Sequence, residues 1–119
     1  MTDIPVIQIV VVAALLALYL FMRIRKNRRR ADLLARIESG ATIVDVRSPS
    51  EFASGHYAGA INIPVDTLPK KLKALGGRET PIIVYCASGM RSANAHRILV
   101  DAGFTDVVNA GGMSALPVI

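Results

Sequence analysis

The chain has 119 residues, enough for one small domain and an appendage but not for two independent hydrophobic cores. Its single cysteine excludes an internal disulfide, and without a second thiol or a cluster of histidines no metal site is expected. The net charge of +5 comes from one segment, since residues 23–30 carry six Lys or Arg and no acid. Residues 31–119 carry eight basic and eight acidic side chains, so we expect no nucleic-acid-binding face there.

The first predicted element is an apolar segment, residues 4–22. Its nineteen residues carry no charge, and as a helix they would be about 28 Å long, close to the roughly 30 Å of a bilayer's hydrocarbon core. A signal peptide would need basic residues before the apolar run, but here Asp3 precedes it and Arg23 follows it. A buried core helix would show a polar stripe, which this segment lacks. Residues 1–22 therefore predict a transmembrane helix that spans the bilayer over 4–22.

The basic run RIRKNRRR, residues 23–30, predicts a juxtamembrane linker. Positive residues beside a span stay on the cytoplasmic side, so we expect a single-pass protein of the cell (inner) membrane, with Met1 outside and residues 31–119 in the cytoplasm. That reducing compartment suits a lone thiol. A nuclear-import or RNA-binding tract has a similar composition, but the position directly against the apolar segment favours topology and contact with anionic headgroups.

Residues 31–119 alternate between predicted helices and strands. The helices are expected over 32–39, 49–54 (capped by Ser48), 67–75 and 91–102. The strands are expected over 41–46, 59–64, 81–85 and 105–109, and Gly111–Gly112 is expected to turn the chain. This alternation predicts an α/β fold with a small parallel sheet and helices on both faces, preceded by one transmembrane helix.

The only cysteine, Cys86, directly follows the apolar strand 81–85. In a parallel sheet, ligands collect at the carboxyl ends of the strands, where the amides of a tight loop and of the next helix favour an anion. Gly89 permits a positive φ, and Arg91 adds a positive charge. A thiolate there has a lowered pKa and is a nucleophile. A lone cysteine is more often a buried, unreactive core residue, but a core residue does not need the glycine and arginine that follow this one.

Three segments together resemble the single-domain rhodaneses, a family of sulfurtransferases. They are IVDVRSPSEFASGHYAGAINIP (43–64), VYCASGMRS (84–92) and NAGGM (109–113), in the family's order and spacing. The resemblance implies a rhodanese-like domain over 31–119 in which Cys86 and Arg91 are catalytic. It also implies a persulfide-binding loop and a set of supporting residues. The loop residues are Ala87, Ser88, Gly89, Met90 and Ser92, and the supporting residues are Asp45, Arg47 and His56.

The implied reaction moves a sulfane sulfur from thiosulfate or a persulfide, through a Cys86 persulfide, to cyanide or a thiol, including a protein thiol. The resemblance implies no cofactor. Four residues separate Cys86 from Arg91, whereas tyrosine phosphatases have five, so a Cys-dependent phosphatase or arsenate reductase is disfavoured, although Asp66 stays open as a general acid. The other alternative is a membrane-tethered sulfur carrier or interaction module with little turnover.

Overall fold

A single long helix begins the described part of the chain. The computed structural model describes residues 4–118, so the predicted external position of Met1 lies outside the described residues. Helix α1 runs over Ile4–Glu38, 35 residues, which makes it about 52 Å long at 1.5 Å per residue. Its apolar window has no residue buried against the rest of the protein, and by length and composition the helix can cross a membrane.

Helix α1 also continues through residues 23–30, where we predicted a linker, and through the segment predicted as a separate helix. Lys and Arg are good helix formers, and no glycine or proline stands between Pro5 and Gly40 to end the helix. Its last turns pack on the sheet, where Leu33 is fully buried. The apolar segment is therefore joined to the domain by continuous helix.

Four parallel strands form one sheet in the order β2-β1-β3-β4. The strands are β1 (Thr42–Asp45), β2 (Ile61–Asn62), β3 (Ile82–Cys86) and β4 (Val107–Gly112). All five residues of β3 are buried, as expected of a central strand that is covered on both faces. The predicted α/β fold with a parallel sheet is confirmed.

Helices cover both faces of this sheet. On one face, α3 (Met90–Asp101) packs through Leu99, and a short turn packs through Leu68, against Val84 of β3. On the other face, Leu33 of α1 packs against Ile83, and α2 (Pro49–Ser54) adds one partly buried side chain, Phe52. Each face therefore has its own apolar cluster, and the sheet separates them.

The predicted helix over 67–75 is replaced by two 3₁₀ turns, Leu68–Lys70 and Leu72–Leu75. Pro69 lies in the first turn and supplies no amide hydrogen, and two glycines follow the second turn, so too few residues remain for α-helical hydrogen bonds. The predicted apolar face survives, because the leucines of both turns pack on the same cluster.

The last strand begins and ends later than predicted. We expected a strand over 105–109 and a turn at the double glycine, but β4 covers Val107–Gly112. The predicted turn is wrong because both glycines pair with β3, Gly111 with Tyr85 and Gly112 with Cys86. A register shift precedes these pairs, and there Gly111 has a positive φ of 87°.

Candidate active site

Cys86 is the last residue of β3, and its side chain is fully buried at the carboxyl end of the sheet. Three residues connect it to Met90, where α3 begins. Gly89 takes the left-handed conformation, φ 102°, which lets the chain turn sharply into the helix. This turn brings the Gly89 N–H to 2.9 Å from Cys86 Sγ. The sulfur therefore lies against main-chain donors at the start of a twelve-residue helix.

Two opposing effects set the pKa of Cys86. Burial raises the pKa, because it removes the thiolate from water, but hydrogen bonds from the Ser92 side chain and from the backbone amides of Ser92, Gly89 and Ser88 outweigh burial and lower it. Ser92 Oγ accepts from the Cys86 thiol at 3.5 Å and donates to the Gly89 carbonyl at 3.0 Å. When the thiol ionises, the same hydroxyl can donate to the thiolate instead. The loop thus favours the thiolate, which is the nucleophilic form.

The pH dependence of thiol alkylation tests this balance. Ser92→Ala removes the hydroxyl donor but keeps the backbone amide, so the pKa of Cys86 rises and the midpoint of its reaction with iodoacetamide moves to higher pH. Ser88→Ala is the matched control, because Ser88 contributes only its backbone amide and alanine retains that donor. Equal midpoints for the two variants would contradict the role of the Ser92 hydroxyl.

The end of β4 lies directly against the cysteine loop. A Cβ built on Gly112 would lie 2.9 Å from the carbonyl oxygen of Ala87, closer than real Cβ atoms approach. A Cβ on Gly89 would lie 3.5 Å from the Cα of Gly111, in ordinary contact. The double glycine therefore allows strand and loop to approach each other, which is a structural role that the sequence pattern did not reveal.

Gly112→Ala is expected to displace the loop and to slow the reaction of Cys86 with iodoacetamide. The neighbouring atom belongs to the backbone, so the loop must shift, and we expect an overpacking cost of about 1–3 kcal/mol in the free energy of unfolding. Gly77→Ala is the control, since a Cβ there has no atom within 4 Å. The rate of Cys86 alkylation and denaturant unfolding measure the two effects, and equal results for the two variants would overturn this explanation.

Arg91, predicted to be catalytic, lies in the first turn of α3 and forms a two-point ion pair with Glu51. Nη1 lies 2.6 Å from Oε1, and Nη2 lies 3.0 Å from Oε2. Glu51 also forms a capping box with Ser48 at the start of α2. Arg91, followed by the Ser48 amide, lowers the pKa of Glu51 to about 2, so the carboxylate is ionised at neutral pH. The charge of Arg91 is thus already matched by an acid.

Asp45 and Arg47, predicted as supporting residues, form a buried ion pair at the end of β1. Arg47 Nη2 lies 2.6 Å from Asp45 Oδ2 and donates to the Gly55 carbonyl at 2.7 Å. The Tyr85 hydroxyl donates to the same carboxylate oxygen at 2.8 Å and accepts from the Tyr57 N–H at 3.0 Å. Burial, together with the Asp45 carboxylate, raises the pKa of Tyr85 to about 12. This network fixes the residue that precedes the cysteine.

The remaining predicted residues lie at the surface. Ala87, Ser88 and Met90 are exposed around the loop, and 81 % of Met90 is accessible to solvent. His56 is exposed at the end of α2, where its ring stacks on Phe52 and Nδ1 lies 2.8 Å from the Phe52 carbonyl. Across residues 4–118, no group of three or more His, Cys, Asp or Glu side chains is placed to hold a metal ion.

Sequence reasoning did not assign two residues that the structure places at the site. Tyr85 was part of an apolar run, although a phenol in a fully buried strand signals that its hydroxyl needs a partner. Glu51 was predicted only to begin a helix, and no local pattern indicates that it pairs with a residue forty positions later.

Comparisons with known proteins place this site in context. The family model of the rhodanese-like domain matches residues 29–116, which include the whole cysteine loop. Thiosulfate sulfurtransferase PspE of Escherichia coli (strain K12) is 38% identical over 71 residues, 59% of this chain and 68% of that protein. The HTH-type transcriptional regulator Rv0324 of Mycobacterium tuberculosis is 44% identical over 77 residues, 62% of this chain but 34% of that protein. A solved structure, a rhodanese with anions from E. coli, matches with a TM-score of 0.62 and 34% identity over 66% of this chain and 95% of that one.

Proposed function

This chain belongs to the rhodanese-like domain family, and on that premise we propose that it is a membrane-anchored sulfurtransferase that works through a persulfide on Cys86. The observation that carries the proposal is the 2.9 Å hydrogen bond from the Gly89 N–H to Cys86 Sγ, in a loop that lowers the pKa of the thiol. Main-chain donors suit a sulfur that is negatively charged both as thiolate and as persulfide. The name of the relative PspE supports thiosulfate as the donor.

In the first half-reaction, the Cys86 thiolate attacks the outer sulfur of thiosulfate. A bond forms between Sγ and that sulfur, the sulfur–sulfur bond of thiosulfate breaks, and the electron pair leaves with sulfite. One thiolate and one dianion give one persulfide anion and one dianion, so the step balances without a proton or a reductant. The loop amides meet the charge on the transferred sulfur.

In the second half-reaction, an acceptor attacks the outer sulfur of the persulfide. Cyanide forms a carbon–sulfur bond and leaves as thiocyanate, while the electron pair of the broken bond returns to Cys86 as thiolate. A thiolate acceptor becomes a persulfide in the same way. The exposed side chains around the loop support access of the donor and the acceptor to Cys86 from the solvent. Ping-pong kinetics are expected.

Arg91 and Glu51 are proposed to set the affinity for anionic donors together. Arg91→Ala leaves an unpaired carboxylate beside the loop, so the KM for thiosulfate is expected to rise roughly tenfold, the scale of one charge-assisted contact. Glu51→Gln removes the competing negative charge and keeps an oxygen that can cap α2, so the KM is expected to fall. Steady-state kinetics measures both. A matching rise in KM for both variants would show that the pair only holds the loop in place.

Trapping the persulfide tests the central proposal. After incubation with thiosulfate, intact-protein mass spectrometry should show one added sulfur atom on Cys86, and cyanide should remove it. The second candidate is a sulfur carrier, which the pairing of Arg91 with Glu51 favours because less positive charge is available for a dianion. A carrier would form the persulfide but turn over negligibly. No adduct from either thiosulfate or an alkyl persulfide would refute both functions.

We further propose that residues 4–22 anchor the protein in the cell (inner) membrane and that the domain is cytoplasmic. Every side chain described in this segment is exposed, including Val6 at 63% and Phe21 at 61%. Such a continuous apolar surface needs apolar surroundings, and a bilayer provides them over the length of this helix. Six basic residues follow the segment directly, which supports a cytoplasmic domain.

A further inference from the structure

The direction of α1 relative to the sheet fixes which edge of the domain lies nearest the apolar segment. The helix ends at Glu38, and β1 begins at Thr42, so the last turn of the helix lies at the amino edge of the parallel sheet. Leu33 then packs on the sheet face beside Ile83. The helix therefore crosses the sheet antiparallel to the strands, and its N-terminal part leaves from the carboxyl edge, where the cysteine loop lies.

Contacts between α1 and the region of β4 show the same direction. Arg36 binds Asp106, just before the strand, at 2.6 Å. About two helical turns earlier, Arg29 donates to the carbonyl of Asn109, within the strand, at 2.5 Å. Arg30 donates to the carbonyl of Ser114, beyond the strand's end, at 3.3 Å. Residues nearer the N-terminus of α1 thus contact residues nearer the carboxyl edge of the sheet.

A groove connects the end of the apolar segment to this edge of the domain. It has a volume of about 410 Å³ and lies between α1 and the turn Met113–Ala115. Phe21 and Met22, the last residues of the apolar segment, line it together with Ala115 and four basic side chains. Ala115 lies three residues after Gly112, the ladder partner of Cys86. Along the axis of α1, the end of the apolar segment therefore lies level with the carboxyl edge of the sheet.

We infer that the carboxyl edge of the sheet, with the Cys86 loop, faces the anionic surface of the bilayer that holds α1. The inference rests on the proposed membrane anchor. The groove favours an anionic phospholipid headgroup, since it combines apolar side chains beside the span with basic ones. Four basic residues line it: Arg25, Lys26, Arg29 and Arg30. A sulfur donor or acceptor must then meet Cys86 at the membrane surface rather than from the open cytoplasm.

Spin labels at the two edges of the sheet test this orientation in the full chain. In a Cys86→Ser background, Met90→Cys places a label at the carboxyl edge, and Glu79→Cys places one at the amino edge, before β3. Both side chains are exposed, and the five-residue strand between them separates the edges by roughly 16 Å. The protein is reconstituted in phosphatidylglycerol-containing vesicles with a nickel-chelating lipid, and the relaxation of each label by nickel is measured.

The expected result is flotation with the vesicles and relaxation several-fold stronger at position 90 than at position 79. Relaxation at position 90 should be weaker when phosphatidylcholine replaces phosphatidylglycerol and the content of nickel-chelating lipid is unchanged. Ser88→Cys and Thr105→Cys give a second pair with the same expected order. Flotation with equal or reversed relaxation would overturn the orientation alone, and equal values in both lipids would overturn the headgroup assignment. Loss of flotation would overturn the membrane anchor as well. Sulfur transfer is assayed separately on the unmodified chain, so that a failure of the orientation is distinguished from a failure of the proposed activity. Spin–spin broadening between copies, without an effect of nickel, would assign the groove to a second copy instead.

Discussion

Cys86→Ser is expected to abolish sulfur transfer while the protein stays folded. A serine hydroxyl is protonated at neutral pH, so the loop amides have no anion to stabilise and no persulfide can form. Turnover of thiosulfate and cyanide should fall by a factor on the order of 10³ or more, as for the loss of other nucleophiles that act through a covalent intermediate. The same incubation that adds sulfur to the unmodified chain should leave this variant at its original mass.

The fold should tolerate this change, because serine has almost the size of cysteine and finds partners at the same place. The Gly89 N–H, 2.9 Å from Sγ, can donate to the new oxygen, and Ser92 Oγ, 3.5 Å from Sγ, offers a second partner. Ala93→Ser, at an exposed position of α3, is the control for adding a hydroxyl and should keep full turnover. Activity retained in Cys86→Ser would refute the assignment of the nucleophile, provided that circular dichroism shows the same helix content in both variants.

Hydrophobic pattern was sufficient to predict the parallel sheet and the helices on both faces. The β-branched runs that became β1 and β3 are buried on both faces, and burial of that kind leaves a continuous apolar signal in the sequence. The pattern did not reveal how far α1 extends. Residues 23–30, predicted as a juxtamembrane linker, continue α1 as helix, since charge does not oppose helix formation and only tertiary contacts show where α1 packs.

The double glycine shows why parts of the site were beyond sequence reasoning. Glycine pairs usually mark turns, but Gly112 lies in β4. Glycine is needed at this position because the Ala87 carbonyl leaves no room for a side chain. That requirement comes from a loop more than twenty residues earlier, and no local pattern carries it. The pairing of Arg91 with Glu51 is non-local in the same way. Local chemistry predicted which residues form the cysteine loop, whereas the partners of those residues depend on the tertiary fold.

Arg47→Ala is expected to cause the largest loss of stability in the domain, about 3–5 kcal/mol in the free energy of unfolding. Asp45 is fully buried, and Arg47 is 8% exposed. Without the guanidinium, the buried carboxylate keeps the Tyr85 hydroxyl and one backbone amide but loses its counter-charge, and the Gly55 carbonyl loses a donor. Denaturant unfolding measures the loss. Asp45→Asn combined with Arg47→Ala should recover part of it, because no charge then stays unpaired.

The pH dependence of that loss separates an electrostatic cause from a packing cause. Burial raises the pKa of Asp45, but bonds from Arg47 and Tyr85 outweigh burial and lower it, so the pair's contribution is present above the unfolded-state pKa of about 3.9 and is lost as the pH falls below it. In Arg47→Ala the unpaired carboxylate can instead take a proton, so the difference from the unmodified protein should shrink towards acid pH. Arg97→Ala, exposed on α3, should change stability by less than about 0.5 kcal/mol at any pH. A deficit in Arg47→Ala that stays constant with pH would assign the loss to packing of the arginine stem and not to the buried charge.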